Sequence, residues 1–215
     1  MSGKVPEGVI ERLSLYLERL MELKQNGCET VSSKRLGSLT EINPAEIRRD
    51  LACFGTFGKR GVGYNTDGLI FKIRQILGSD EPHGIAVVGA GNLGSAIVGY
   101  DGFSLHGFSV SAIFDNDSKK IGKKIGELKV SEIKNLEKIV KEKKISIGVI
   151  AVPALEAQAV ADLLVQSGVK IVLNYTPVTV KVSDGVKVYN TNPVKELLYT
   201  LYYLSGRSDG NARLL

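Results

Sequence analysis

The sequence predicts an α/β protein in two parts, an N-terminal winged-helix (helix-turn-helix) domain and a C-terminal Rossmann domain with a doubly wound parallel sheet. Three observations carry this expectation. Up to residue 77 the apolar residues recur at helical spacing. From residue 84 they gather into short continuous runs with helical segments between them. The first of those runs opens into Gly89-Ala90-Gly91-Asn92-Leu93-Gly94.

Val9, Leu13, Tyr16, Leu17, Leu20 and Leu23 fall at three- and four-residue intervals and predict one helix with an apolar stripe, ended by Asn26-Gly27. Ser32 can cap a short helix carrying Leu36 and Leu39. Asn43-Pro44-Ala45-Glu46 starts another, with Asn43 as N-cap, Pro44 at a position that needs no donor, and Glu46 at the positive end of the helix dipole. Residues 57–64, Phe-Gly-Lys-Arg-Gly-Val-Gly-Tyr, suit a tight β-ribbon, and Leu69, Ile70, Ile73, Ile76 and Leu77 predict a further helix. The polar, Gly/Pro-bearing stretch 78–84 reads as a linker.

Beyond it the expected strands are 85–89, 109–115, 145–152 and 169–174, with helices near 93–99, 131–143 and 155–166. Ile147-Gly148-Val149-Ile150-Ala151-Val152 is apolar throughout, as in a strand buried on both faces of a parallel sheet. The expected domains are therefore 1–80 (winged helix), 84–190 (Rossmann) and 191–215 (C-terminal helix and tail). In the last, Val194, Leu197, Leu198, Leu201 and Tyr202 make an apolar face for a partner subunit or for packing within the chain.

A net charge of +5 fits a polyanionic partner such as DNA, and fits a lysine-rich solvated surface equally well. The only cysteines, Cys28 and Cys53, form no metal-binding or disulfide pattern. Early charges such as Lys4, Glu7 and Arg12 break any signal-peptide core, and no charge-free span is long enough for a membrane. The expectation is a cytoplasmic protein with neither metal nor membrane partner.

In the glycine motif, Gly89 permits a tight turn, Gly91 lets backbone approach a pyrophosphate, and Gly94 lets a helix lie close to the strand. Twenty-one residues after Gly94, Asp115 closes an apolar strand where a carboxylate would accept ribose hydroxyls and repel a 2′-phosphate, favouring NAD(H) over NADP(H). The alternative is a plain glycine turn beside an incidental aspartate. Val152-Pro153 either walls the nicotinamide side or simply ends a strand.

In the N-terminal part, Ala45, Arg49 and Ala52 point away from inward-facing Ile47, Leu51 and Phe54, with Arg48 at the flank. Small residues beside arginines suit a major groove, and Lys59-Arg60 could enter the minor groove or hold its phosphates. By charge alone a solvated face is the better reading of this segment, and it is the order helix, helix, basic ribbon that favours DNA binding. His83 and His106, the only histidines, have no carboxylate partner in sequence, so cofactor binding without turnover is the simpler reading, and no catalytic residue is assigned.

Val31-Ser32-Ser33, Pro44 to Leu51 with its Ile47-Arg48-Arg49-Asp50 centre, Phe57 to Tyr64, the Gly89 to Gly94 turn and Leu173-Asn174-Tyr175-Thr176-Pro177-Val178 together resemble the Rex family of redox-sensing transcriptional repressors. The resemblance covers nearly the whole chain. It implies a homodimer that binds inverted-repeat, double-stranded operator DNA, is released by NADH and so responds to the NADH/NAD+ ratio. It further implies a C-terminal helix swapped between subunits and Tyr100 on the nicotinamide side.

The expected DNA contacts are then Ser32, Ser33, Ala45, Arg48, Arg49, Lys59, Arg60, Gly61 and Tyr64. The expected cofactor residues are Gly89, Ala90, Gly91, Asn92, Leu93, Gly94, Tyr100, Asp115, Val152 and Pro153. Two positions depart from the family pattern: Glu18 stands where it has an arginine, and Asn192-Pro193 where an aspartate precedes a bulky apolar residue. Two other readings remain, an NAD-dependent oxidoreductase and a DNA-binding paralogue with weak or absent NADH response.

Overall fold

The computed structural model describes residues 5–55, 57–58 and 62–204, and of 202–204 only the backbone. The chain forms two compact units, 1–82 and 83–215.

In the first unit, α1 (Glu7–Gln25), β1 (Thr30–Val31), α2 (Ser33–Thr40), α3 (Pro44–Ala52), β2 (Tyr64–Asn65) and α4 (Thr66–Leu77) follow in order. Leu13, Tyr16 and Leu20 of α1 are fully buried against Leu36, Ile47 and Ile73, one from each of the other three helices. The expected caps form: Ser32 accepts from Arg35 N–H and Asn43 from Ala45 N–H. The turn between α2 and α3 places Glu41 in the left-handed region (φ 58°), and a Cβ on Gly37 would come within 2.6 Å of the Ile42 carbonyl. Close approach of the two helices thus depends on that glycine.

The middle of the ribbon expected over 57–64, residues 59–61, lies outside the described residues; its two arms approach so closely that a Cβ on Gly58 would collide with the Gly63 carbonyl, and β2 pairs antiparallel with β1, Val31 opposite Tyr64. Gly63 (φ 95°) lies so close to β1 that a Cβ would sit 2.7 Å from the Val31 carbonyl, so the pairing selects glycine there.

The second unit runs β3 (His83–Val88), α5 (Asn92–Val98), α6 (Gly102–Leu105), β4 (Phe108–Asp115), β5 (Lys124–Ile125), β6 (Leu128–Lys129), β7 (Ser131–Glu132), α7 (Leu136–Glu142), β8 (Ile147–Ile150), α8 (Ala157–Gln166), β9 (Ile171–Asn174), β10 (Lys187–Asn190) and α9 (Pro193–Leu204). Six strands make one parallel sheet in the order β10-β9-β8-β3-β4-β7. Sequence order reverses between β3 and β8, the switch point of a doubly wound sheet, where the carboxyl ends leave a crevice. Separate apolar clusters cover the two faces, one around Val88, Phe114 and Ile150, the other around Val87, Ile113 and Val149.

The helix expected over 131–143 begins only at Leu136. Ser131-Glu132 is an edge strand beside Phe114 and Asp115, and a turn of 3-10 helix follows. Neither the β5–β6 hairpin nor β10 was anticipated. Asn192 caps α9, accepting from Val194 N–H at 3.1 Å, with Pro193 next; this repeats the Asn43-Pro44 start signal. Val194, Leu197, Leu198 and Leu201 are exposed on α9, while the side chain of Tyr202 lies outside the described residues.

Candidate functional site

At the switch point the carboxyl ends of β3, β4 and β8 enclose a cavity of about 390 Å³, within the usual size range of small-molecule sites. Val88, Gly89, Gly91, Asp115, Asn116, Asp117, Lys120, Ile133, Ala151, Val152, Pro153 and Glu156 line it. Each glycine of the turn has a separate reason. Gly89 has φ 107°, and a Cβ there would collide with the Ala151 carbonyl. One on Gly94 would collide with the Gly89 carbonyl, so helix α5 can lie against β3 only without it. A Cβ on Gly91 would meet nothing within 4 Å. Gly91 therefore leaves free space at the cavity rather than relieving a clash.

Asp115 is buried at the end of β4 and wired in. One oxygen accepts Asp117 N–H at 2.8 Å; the other accepts Ala90 N–H at 2.8 Å and the Lys120 ammonium at 2.9 Å. Burial works to raise this carboxyl, but Asp117 N–H, Lys120 and Ala90 N–H outweigh it and hold the group below the ordinary carboxylate range. It is ionised at neutral pH and acts as an acceptor only. The Ala90 amide consequently anchors the acid, and Gly89 N–H binds the Phe114 carbonyl.

Of the other expected positions, Gly91, Val152 and Pro153 line the cavity, while Asn92, Leu93 and Tyr100 are exposed. Tyr100 stands edge-on to Phe103 at 5.2 Å. Asn116, Asp117, Lys120, Ile133, Ala151 and Glu156 were missed. The first three follow Asp115 directly and could have been read from that adjacency. Ile133 and Glu156 are brought in only by the edge strand and the turn after Pro153.

On the first unit, α3 exposes Ala45, Arg48 and Arg49 and buries Ile47 and Leu51. Arg48 donates to Ser33 Oγ at 2.9 Å, joining α3 to α2, and Ser32 is exposed while capping α2. Tyr64 is half-buried, and burial raises its phenol against a smaller opposing effect of Arg48. Lys59, Arg60 and Gly61 lie outside the described residues.

Asp50, on the inner side of α3, was not anticipated. It is 3% exposed, and its carboxylate takes two hydrogen bonds of 2.7 Å from Arg12 and accepts Tyr16 Oη–H at 2.7 Å. Burial opposes ionisation of Asp50, yet the Arg12 and Tyr16 hydrogen bonds prevail and its carboxyl is held low. Arg12 is raised chiefly by its bond to Asp50, and Tyr16 by burial and then the same acid. The network fixes the rotation of α3 about its axis, and hence which residues it presents outward.

Asp50→Asn is expected to cost about 2 kcal/mol, less than a wholly buried pair because Arg12 is partly exposed. Chemical denaturation at neutral pH checks this. Since the folded carboxyl is depressed, that contribution is present at neutral pH and lost as pH falls through the folded value, so mutant and wild type converge in acid.

Glu18 is exposed on α1, and Asn192 is occupied as the cap of α9. His83 packs on Phe108 at the start of β3, the strand end opposite the cavity, and His106 ends α6. Among the described residues no group of three His, Cys, Asp or Glu could hold a metal, and no helix is long and apolar enough to cross a membrane.

Comparison with known proteins gives matches along both units. A family model described as "Putative DNA-binding protein N-terminus" covers residues 4–52, and one for a CoA binding domain covers 80–178. A redox-sensing transcriptional repressor Rex from Rubrobacter xylanophilus is 46% identical over 95% of this chain and 95% of its own. One from Desulforamulus reducens is 45% identical over 88% of this chain and 90% of its own. Among solved structures, RSP with β-NAD+ and operator DNA matches with TM-score 0.89 and 35% identity, over 96% of this chain and 95% of its own. RSP with β-NADH matches at 0.84 and 34%, over 96% and 97%.

A helix-turn-helix unit followed by a Rossmann unit with a glycine-lined cavity defines a class, the transcription regulators built on a nucleotide-binding fold. The chain belongs to the Rex family of redox-sensing transcriptional repressors.

Proposed function

We propose that this protein is a cytoplasmic, non-enzymatic repressor that binds inverted-repeat operator DNA as a homodimer and is released by NADH. The observation that carries the reading is the cavity at the switch point, open beside Gly91 and closed by an ionised Asp115, in a chain that begins with a helix-turn-helix unit. The backbone of the Gly89 to Gly94 turn would hold the pyrophosphate, and Asp115 the hydroxyls of the adenosine ribose. A buried carboxylate suits an unsubstituted diol and would repel the ribose phosphate of NADP(H) or of coenzyme A, which favours NAD(H). Bound nicotinamide would supply a ring that differs in charge between its two redox states.

On the DNA side, Ala45, Arg48 and Arg49 form the contact face, supported by Ser32, Ser33 and Tyr64, and Lys59, Arg60 and Gly61, outside the described residues, are the further contacts that the sequence suggests. Neither histidine lies at the cavity, which supports binding without turnover. The C-terminal helix 193–204, apolar and exposed along one face, suits contact with a second subunit. An effector shifts affinity through roughly 1 to 3 kcal/mol of coupling, about 5- to 150-fold.

Operator binding measured on genomic fragments should weaken by such a factor with NADH and far less with NAD+. Equal weakening by both would remove redox sensing and leave plain nucleotide regulation. A second reading, a repressor with a weak NADH response, is favoured by Glu18 and Asn192 at the two departing positions. Direct NADH titration separates the two.

A further inference from the structure

We propose that the lysine-rich segment after Asp115 is an electrostatic collar that captures the anionic dinucleotide and speeds its entry to the cavity; this rests on the dinucleotide reading above. Positive charge is unevenly distributed in the chain. Residues 1–82 carry twelve Lys and Arg against eleven Asp and Glu, whereas 118–144 alone carry ten lysines against four glutamates. The stretch 118–129, which follows the cavity residues Asp115, Asn116 and Asp117 and includes Lys120 of the cavity wall, holds five of these lysines against one glutamate.

Within this segment Lys119, Lys123, Lys124 and Lys129 are exposed and form no ion pair among the described residues. Lys124 and Lys129 stand directly opposite each other across β5 and β6, an arrangement that destabilises a strand pair. A local conflict of this kind is expected where the charge serves a ligand.

The segment is tied to the cavity wall at Lys120. Lys123 N–H bonds the Lys120 carbonyl at 3.0 Å, and the Lys120 ammonium lies 2.9 Å from Asp115. Ile125 and Leu128 of the hairpin pack against the same buried cluster as Val98 of α5, and a Cβ on Gly126 between them would lie 3.7 Å from Val98. The cavity itself is lined by Asp115, Asp117 and Glu156 against Lys120 alone. A ligand bearing a diphosphate meets a net acidic wall there, so attraction must come from outside the lining. Clustered like charges of this kind raise association rates about 10- to 1,000-fold, and salt suppresses the effect.

The test is stopped-flow binding of NADH, followed by its fluorescence, to the full chain and to K123E/K124E. The second of these changes sets an opposite charge across from Lys129 in place of a like one, so the hairpin is retained. At roughly 20 mM salt the variant should associate about tenfold more slowly with its dissociation rate within about twofold, and the difference should vanish near 1 M salt. Equilibrium binding of adenosine, which is uncharged, should not change.

An unchanged NADH association rate overturns the proposal. If that rate holds while the salt dependence of operator affinity becomes shallower, the lysines serve duplex DNA instead and the proposal is equally overturned. Failure of the wild-type chain to bind NADH at all would sink the underlying dinucleotide reading, and the collar with it.

Discussion

Gly91→Ala is expected to fold as the wild type does, to bind NADH about 100-fold more weakly, a loss of roughly 2.7 kcal/mol, and to repress without responding to NADH. Its added methyl enters open space at the cavity and meets nothing of the protein within 4 Å. Fold and operator affinity are therefore spared, while close approach of a pyrophosphate to the backbone is blocked. Gly94→Ala is the control, because its methyl would strike the Gly89 carbonyl, forcing α5 off β3 and lowering stability along with binding. Thermal denaturation together with NADH titration separates the two outcomes. If Gly91→Ala bound NADH like the wild type, the glycine turn would not be the pyrophosphate site.

Arg49→Ala should weaken specific operator binding by about 5- to 150-fold, the 1–3 kcal/mol of a side chain reading a base edge, with NADH affinity unchanged. Arg49 is exposed on α3, and among the described residues its side chain donates one hydrogen bond, 3.4 Å from Nε to the Ala45 carbonyl of its own helix, so its guanidinium is available to a groove. Arg48 is already committed to Ser33 Oγ at 2.9 Å. Arg48→Ala should therefore act mostly by loosening α3 from α2, weakening cognate and non-cognate duplexes alike. Anisotropy titrations with both duplexes distinguish the patterns, and intact specificity in Arg49→Ala would show that another residue does the reading.

Most of the fold was legible because the signals that specify it are local. Helical periodicity placed α1 and α4, and Asn43 with Pro44 marked the start of α3. The glycine spacing from Gly89 to Gly94, with Asp115 at the end of the next long strand, located the cavity to within one turn. Less was legible where the pattern is short. Two-residue strands such as Lys124–Ile125 carry no readable period, and Ser131-Glu132 became an edge strand only because Phe114 and Asp115 offered it backbone partners. The Asn-Pro start signal of α3 recurs at Asn192-Pro193, where it opens α9.

By itself, then, the amino-acid order determined the elements, the two-part plan and the chemistry of the glycine turn, since each depends on residues within a few positions of one another. Tertiary structure alone decided three things: that Asp50 takes both hydrogen bonds of Arg12, 38 residues away, that Tyr64 pairs with Val31, and that Lys120 closes on Asp115 at the cavity wall. Distant pairings of this kind are chosen by how packed elements exclude water and satisfy buried charge, a competition among all the parts that no short stretch of chain encodes.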